Sequence, residues 1–205
     1  VSHAEPEALS MYRKSRGYAA NQPRSHGLKV VLLLVLLGAA AAGWFFLWPD
    51  RSAAVAPLIR EIATTHNLAP SLVLAVVHQE SGFDADARGR VGEVGLMQIT
   101  KGAATDWAEK NGREIPTTAM MFSPRTNLTI GCWYLARARN RWRTREDGVI
   151  LALYEYNAGA SRVFDWLEHS QDLKLVEDVP ILSSRAYIKK ILALQAFYLQ
   201  DAQAP

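Results

Sequence analysis

The feature of this sequence that most restricts its fold is a run of 19 uncharged residues at 30–48, VVLLLVLLGAAAAGWFFLW. As an α-helix this run is about 28 Å long, at about 1.5 Å per residue, and so matches the apolar thickness of a bilayer. A cleaved signal peptide is the alternative, because residues 39–42 are alanines. Signal peptides carry an apolar core of only about 7–15 residues, whereas this run continues into aromatic residues suited to a membrane interface. We therefore predict an uncleaved transmembrane helix at 28–48.

Charged residues on the two sides of this segment predict its orientation. Five Lys or Arg side chains precede it, whereas the twenty residues after it hold two Arg side chains offset by one Asp and one Glu. Basic flanks stay on the cytoplasmic side of a membrane. We therefore predict a single-pass protein of the cytoplasmic membrane, with a cytoplasmic tail at 1–27, a linker at 49–56 and a folded domain at 57–200 in the periplasm or cell-wall space.

The folded part has no net charge. The chain carries +3, and residues 1–49 account for it with five basic and two acidic side chains, leaving 18 of each sign in 50–205. Such a balance gives no electrostatic basis for a nucleic-acid partner. One local exception is the basic run RARNRWRTR at 137–145. A solvated helix face is its simplest interpretation, and contact with an acidic surface is the alternative.

Apolar residues after residue 57 recur mostly with helical spacing, which predicts a compact, mainly α domain. Pro70 suits the first turn of a helix and Gly82 suits a helix end. Glycines interrupt any helix between residues 84 and 98, so a small Gly-rich loop or strand pair is expected there. Helices are predicted at 57–68, 69–81, 101–111, 124–142, 147–156, 160–168 and 184–200.

Glu80 occupies an unusual position on the second of these helices. In the segment LAVVHQESGF it continues the apolar stripe of Leu72 and Val76 at intervals of four residues. Burial and the negative end of the helix dipole both disfavour a carboxylate there, so we expect the pKa of Glu80 to be raised. A carboxyl group that stays protonated near neutral pH can act as a general acid. From spacing alone, the alternative is a helix end at which Glu80 turns into solvent.

Two further segments carry groups suited to a carbohydrate ligand. GEVGLMQI combines glycines, which permit close approach of a ligand, with Met97 and Gln98, a soft contact and an amide that donates and accepts hydrogen bonds. YEYNAGASRV adds Tyr156 and Asn157, whose polar groups suit sugar hydroxyls. Each segment is weak evidence by itself.

Taken in chain order, four motifs resemble those of one enzyme family: ESGF at 80–83, GLMQI at 95–99, YNAG at 156–159 and SRAYIKKI at 184–191. They are similar to the lytic transglycosylase domain of the soluble, goose-type-lysozyme-like class, family 23 of the glycoside hydrolases. The resemblance covers about residues 57–198. It implies a lysozyme-like, mainly helical fold in which a substrate groove separates two lobes, here preceded by one transmembrane helix.

The resemblance also implies an activity and a set of site residues. The family cleaves peptidoglycan between N-acetylmuramic acid and N-acetylglucosamine and leaves a 1,6-anhydro end, with no metal or organic cofactor. Glu80 would act first as acid and then as base. The residues expected around Glu80 come from all four motifs. Ser81 stands beside it in the signature, Met97 and Gln98 would line the groove, Tyr156 and Asn157 would contact Glu80 or the sugar, and Tyr187 would complete the wall.

Departures from the family pattern leave alternatives open. Many relatives read SPxGAxGLMQ where this chain has GRVGEVGLMQ, so Gly89 replaces a serine and Glu93 an alanine. Glu93 is a candidate second carboxylate, which together with Glu80 would permit a hydrolytic, lysozyme-like reaction. Otherwise it is a loop residue paired with Arg88 or Arg90. A third alternative is a non-enzymatic peptidoglycan-binding module that docks an envelope or secretion machine at the wall.

Overall fold

The computed structural model describes residue 31, residues 51–169 and residues 176–201. Within these ranges the chain forms helices and loops, and its only β-type pairings are isolated bridges. The predicted fold class, mainly α, is therefore confirmed for the described residues. The elements are α1 Arg51–Thr65, α2 Pro70–Ser81, α3 Lys101–Lys110, α4 Thr118–Met121, α5 Pro124–Arg141, α6 Gly148–Ala158, α7 Ala160–His169, a 3-10 helix Val176–Asp178 and α8 Leu182–Asp201.

The start of α1 differs from the predicted linker at 49–56. The helix begins at Arg51, so the last six residues of that predicted linker are helical. Pro57 lies inside α1, although proline removes a backbone donor and disfavours helical geometry in the residue before it. That residue, Ala56, is buried, and Val55 packs against the core. Burial of these side chains therefore outweighs the local preference of the proline.

Helix α2 lies at the centre of the packed helices. All residues from Ser71 to Val77 are buried, and α2 packs against α1 and α8. A helix that is apolar on all sides requires such an enclosed position. The helix ends where Gly82 adopts a left-handed conformation, with φ 59°, and donates its N–H to the carbonyl of His78 at 3.0 Å. Glu80 therefore lies in the last turn of an enclosed helix.

A Gly-rich loop connects α2 to α3. Single antiparallel bridges join Arg88 to Val94 and Val94 to Ile99. Of the two predicted alternatives for this segment, a loop or a strand pair, the structure has the loop. Its compact path brings residues 93–98 back over the C-terminal end of α2, because backbone hydrogen bonds close it at both bridges.

The predicted transmembrane helix at 28–48 lies, apart from residue 31, outside the described residues. Among the residues that the structure does describe, none belongs to a helix with both the length and the apolar character needed to cross a membrane.

Candidate active site

Glu80 lies in the wall of a cavity, in the last turn of α2. Burial removes its carboxyl group from water and raises its pKa from the usual 4.5 to about 7. The hydrogen bond from Tyr187 lowers this pKa, and the negative charge of Glu93 raises it by a smaller amount. The apolar stripe therefore carries Glu80 into a poorly solvated site and not out into solvent.

Tyr187 on α8 is the direct partner of Glu80. Its hydroxyl donates a hydrogen bond of 2.6 Å to Oε1 of Glu80, across 107 positions in the sequence. Burial raises the pKa of Tyr187 far above its usual value, and the nearby Glu80 charge adds to the effect. Tyr187 is therefore a permanent hydrogen-bond donor near neutral pH. Tyr187 does not line the cavity, contrary to its predicted place in the wall, and it supports the acid through this hydrogen bond.

Replacing Tyr187 with Phe should raise the pKa of Glu80, because the lost hydrogen bond favours the charged carboxylate. The alkaline limb of the pH profile of kcat/KM should then move to higher pH, and a carboxyl-carbon NMR titration should show the same direction. Tyr198→Phe is the matched control, since that hydroxyl contacts His78 at 2.7 Å. An unchanged or lowered pKa in Tyr187→Phe would contradict the assigned contact.

Ser81 ties the end of α2 to the Gly-rich loop. Its hydroxyl lies 2.9 Å from the carbonyl oxygen of Leu96 and 3.1 Å from that of Val77. The side chain is not part of the cavity lining. Its position therefore fits the placement of Glu80 relative to the loop.

Met97 does not line the cavity, contrary to the prediction. It is only 1% exposed, and its side chain lies against Gly131 of α5. Its apolar side chain finds a better environment in the core than at a polar cavity. Its backbone still serves the site, because the Met97 carbonyl accepts a hydrogen bond of 3.0 Å from the Tyr156 hydroxyl.

Asn127 on α5 organises the loop and was not among the predicted site residues. It is fully buried, and its Oδ1 accepts the Met97 N–H at 2.7 Å. Its Nδ2 donates to the carbonyls of Val94 at 2.7 Å and Met121 at 2.9 Å. One sequence signal was available: Asn127 precedes Gly131 by four residues on the face of α5 that turns to the core, where an amide must be paired.

Tyr156 and Asn157, predicted to contact Glu80 or the sugar, both line the cavity, and their hydrogen bonds within the described residues go to other groups. Tyr156 instead bonds to the Met97 carbonyl, while the charge of Glu80 contributes to its raised pKa after burial. Asn157 accepts a hydrogen bond of 2.7 Å from Ser184 through Oδ1. Within the described part of the chain, the Nδ2 group of Asn157 has no protein acceptor, so it is available to a ligand.

Gln98 and Glu93 place two more polar side chains in the cavity lining. Gln98 Nε2 donates to the Gly95 carbonyl at 2.8 Å, and Glu93 Oε2 accepts the Val91 N–H at 3.0 Å. A Cβ atom at Gly89 would come within 3 Å of both the Glu93 carboxylate and the Gln98 amide oxygen. The glycine at 89 therefore provides the space that the Glu93 side chain occupies.

The alternative pairing of Glu93 with Arg88 or Arg90 is not found among the ion pairs of the described residues. Arg88 instead places its guanidinium over the ring of Phe122, 4.4 Å from the ring centre. Glu93 thus contributes its negative charge to the cavity.

The cavity has a volume of about 360 Å³. Besides the residues predicted from the motifs, it is lined by a group of polar side chains from α5 and α6 that the sequence did not indicate. These are Tyr134, Arg137, Arg141 and Glu155. Of these four residues, only Arg137 and Arg141 belong to the basic run at 137–145. The solvated face predicted for that run therefore does not account for all of its contacts.

This arrangement is suited to general acid catalysis by one group. A carboxyl group with a pKa of about 7 is partly protonated at neutral pH, and after giving up its proton it becomes a carboxylate stabilised by Tyr187. The surrounding amides and hydroxyls offer the hydrogen bonds that a polyhydroxylated ligand needs.

Comparison with known proteins agrees with this geometry. Residues 57–178 match the family described as the transglycosylase SLT domain. The soluble lytic murein transglycosylase of Salmonella typhimurium is 32% identical over 139 residues, which are 64% of this chain and 21% of that protein. The membrane-bound lytic murein transglycosylase F of Desulfosudis oleivorans is 31% identical over 142 residues, 64% of this chain and 29% of that protein.

A solved structure shows the same likeness in three dimensions. An inactive mutant of the lytic transglycosylase Slt from Pseudomonas aeruginosa superimposes with a TM-score of 0.66 and 30% identity, over 77% of this chain and 25% of that one. The chain therefore spans about a fifth to three tenths of the length of these relatives. Its helical fold is the lysozyme-like fold of such domains. With more than half of its residues matched, the chain belongs to the transglycosylase SLT domain family, a family of enzymes.

Proposed function

We propose that this protein is a peptidoglycan lytic transglycosylase that cleaves the β-1,4 bond between N-acetylmuramic acid and N-acetylglucosamine and leaves a 1,6-anhydro-muramyl end. The observation that carries the proposal is the Glu80 carboxyl group, held in the cavity with a pKa of about 7 and bonded to Tyr187. The family membership adds that related domains belong to proteins named lytic murein transglycosylases.

In the proposed reaction, Glu80 acts twice. The protonated carboxyl group gives its proton to the glycosidic oxygen, and the N-acetylglucosamine side leaves with that proton. The resulting carboxylate then removes the proton of the muramyl C6 hydroxyl, whose oxygen bonds to C1. This restores protonated Glu80 and consumes no water. Because the attacking hydroxyl belongs to the same sugar, it is already positioned and no second carboxylate is needed to activate it.

The product identifies the reaction. Digestion of purified sacculi by the full chain should yield muropeptides with anhydro ends, each one water lighter by mass spectrometry than the hydrolysed product. The digestion is run in oxygen-labelled water, where a hydrolytic enzyme incorporates the label at the reducing end. Products that carry the label would contradict this proposal and would show that the protein is a hydrolytic muramidase.

Hydrolysis is the second candidate because one observation favours it. Glu93 lies in the same cavity lining as Glu80, and its charge contributes to the raised Glu80 pKa. A second carboxylate near the acid is what an activated water would require. Glu93 and Gly89 both depart from the pattern of many relatives, and Gly89 leaves room for the Glu93 side chain.

Replacing Glu93 with Gln separates the two reactions. If the chain is a transglycosylase, we expect cleavage to fall less than about tenfold, while the pKa of Glu80 moves down because a nearby negative charge is lost. A general base would instead contribute about a hundredfold or more. The kcat of the variant on sacculi distinguishes the two reactions. Glu109→Gln on the exposed face of α3 is the control.

We also propose that residues 28–48 anchor the protein in the cytoplasmic membrane, with residues 1–27 in the cytoplasm and the catalytic domain on the other side. The unbroken apolar run and its basic flank support this proposal. So does the existence of related proteins named as membrane-bound. In intact spheroplasts, an added protease should digest the domain and leave the tail protected. Release of the protein by alkaline carbonate would contradict an integral anchor.

A further inference from the structure

A second groove is lined mainly by residues of α5 and the segment that follows it. We call it the arginine groove and define it by His66, Trp133, Arg137, Arg139, Asn140 and Arg143, which line a volume of about 570 Å³. It uses the basic run that the proposed reaction leaves unexplained. Burial lowers the pKa of His66, so that side chain is neutral at pH 7 and the arginines supply the charge.

The charge in the arginine groove is compensated only in part by the described residues, at Arg137. Its lining includes no Asp or Glu side chain. Arg139 and Arg143 form no ion pair with any residue in the described ranges, and Arg143 only donates a hydrogen bond of 2.8 Å to Asn140 Oδ1. Guanidinium groups present planar donor pairs that match carboxylates and phosphates. The groove therefore fits an anionic ligand.

The arginine groove adjoins the catalytic cavity. Arg137 lines both, and helical spacing places Tyr134 and Arg141 on its cavity side. On the other side, Arg137 lies over the ring of Trp133, with its guanidinium carbon 5.3 Å from the ring centre. A polymer bound beside Glu80 therefore has a short path across Arg137 into the groove.

We propose that the arginine groove binds the free carboxylates of the peptide stem carried by the peptidoglycan strand whose glycan occupies the cavity. This inference rests on the proposed function, since it takes the ligand of the cavity to be peptidoglycan. Each muramyl residue carries its stem on a lactyl group, and the free carboxylates of the stem begin at its second residue, roughly 7 Å or more of extended chain from the sugar. Trp133 offers an apolar surface to the aliphatic part of a stem.

The position of the arginine groove beside the cavity favours the peptide stem as its ligand over an anionic membrane surface. A lipid bilayer is flat and contacts protruding side chains, whereas the arginines here line a concavity that shares Arg137 with the cavity. Arg137 also keeps an ion pair of 3.4 Å with Asp106, which leaves Arg139 and Arg143 as the free charges. These two arginines therefore carry the specificity.

The test is equilibrium binding of two matched probes to the full chain carrying Glu80→Gln, which prevents turnover. One probe is the disaccharide tetrapeptide with free carboxylates, and the other is the same molecule with those carboxylates amidated. We expect amidation to weaken binding about threefold to tenfold, the range for two solvent-accessible ion pairs. Adding Arg139→Gln with Arg143→Gln should remove this difference, and added salt should reduce it.

Arg60→Gln with Arg113→Gln is the matched control, because it removes the same charge from exposed positions outside both linings. Equal binding of the two probes to the protein with intact arginines would overturn the proposal. The proposal would also be overturned by an arginine variant that keeps its preference for free carboxylates but no longer binds vesicles containing phosphatidylglycerol. A hydrolytic product from sacculi would instead contradict the proposed reaction and leave this binding result standing.

Discussion

Cleavage of peptidoglycan should be lost when Glu80 is replaced by Gln. The substitution keeps the size of the side chain and removes the proton that the glycosidic oxygen needs. A positioned general acid and base contributes about a hundredfold to ten-thousandfold, and here one group serves in both steps. We therefore expect kcat on purified sacculi to fall by at least about a hundredfold, measured as the release of soluble muropeptides.

The same variant should be more stable than the parent at high pH. The folded-state pKa of Glu80, about 7, lies above its usual 4.5, so ionising the buried carboxyl group destabilises the fold. The favourable contribution is complete below about pH 4.5 and is lost as the pH rises through about 7. Well above pH 7, Glu80→Gln removes a cost on the order of 3 kcal/mol, since one pKa unit corresponds to about 1.4 kcal/mol.

Thermal denaturation at pH 5 and pH 9 measures this effect on stability. Cleavage of purified sacculi is assayed on the same variants. The variant should gain stability relative to the parent only at pH 9. Glu109→Gln, the same change at an exposed position of α3, should alter neither stability nor cleavage. Full activity in Glu80→Gln would remove Glu80 from the mechanism. Glycan binding that persists in Glu80→Gln, with a parent that never cleaves, would support the docking-module alternative.

Replacing Asn127 with Ala should destabilise the domain by about 3 kcal/mol or more. The change leaves the Met97 N–H and the Met121 carbonyl buried without this partner and removes one of two hydrogen bonds to the Val94 carbonyl, which keeps the Ile99 N–H. Each buried polar group left unpaired costs about 1–3 kcal/mol. Urea unfolding followed by circular dichroism gives the free energy of unfolding. Asn111→Ala is the control, because its exposed amide makes one local hydrogen bond to Trp107.

Activity should fall together with stability in Asn127→Ala, even under conditions where the variant is folded. The loop that Asn127 holds carries Gln98 and Glu93 into the cavity lining. A shifted loop raises KM for the glycan because binding groups are displaced, whereas the acid on α2 stays in place. A variant that loses less than about 1 kcal/mol and keeps its KM would show that the loop is held by other contacts.

Periodicity predicted most of the helices because each helix buries one face, and burial imposes its spacing on the sequence. It did not predict the short α4, and it placed the start of α1 six residues too late. The early part of α1 is stabilised by burial of Val55 and Ala56 in its second turn. Such burial depends on which helices are neighbours, and that information is absent from a local pattern.

The residues of the site likewise divide into those that the sequence predicted and those that it did not. The apolar stripe left Glu80 either buried or at a helix end in solvent, because a helical repeat determines the face but not where the helix ends, and the downstream motifs favoured the buried acid. The motifs predicted that Gln98 would line the groove and that Tyr156 and Asn157 would contact Glu80 or the sugar; all three side chains lie in the cavity lining. The burial of Met97 was not predicted, because an apolar side chain in a motif reads the same whether it faces a ligand or the core.

By itself, the sequence determined the helical class, the buried acid and the order of motifs that indicates the family. Only the tertiary structure decided that Tyr187 is the partner of Glu80, that Asn127 holds the loop, and that Arg137 joins the cavity to the arginine groove. The spacing of apolar residues along the sequence specifies which residues share a face of one helix, over about two turns. Hydrogen-bond partners 30 and 107 positions apart are chosen by how the helices pack.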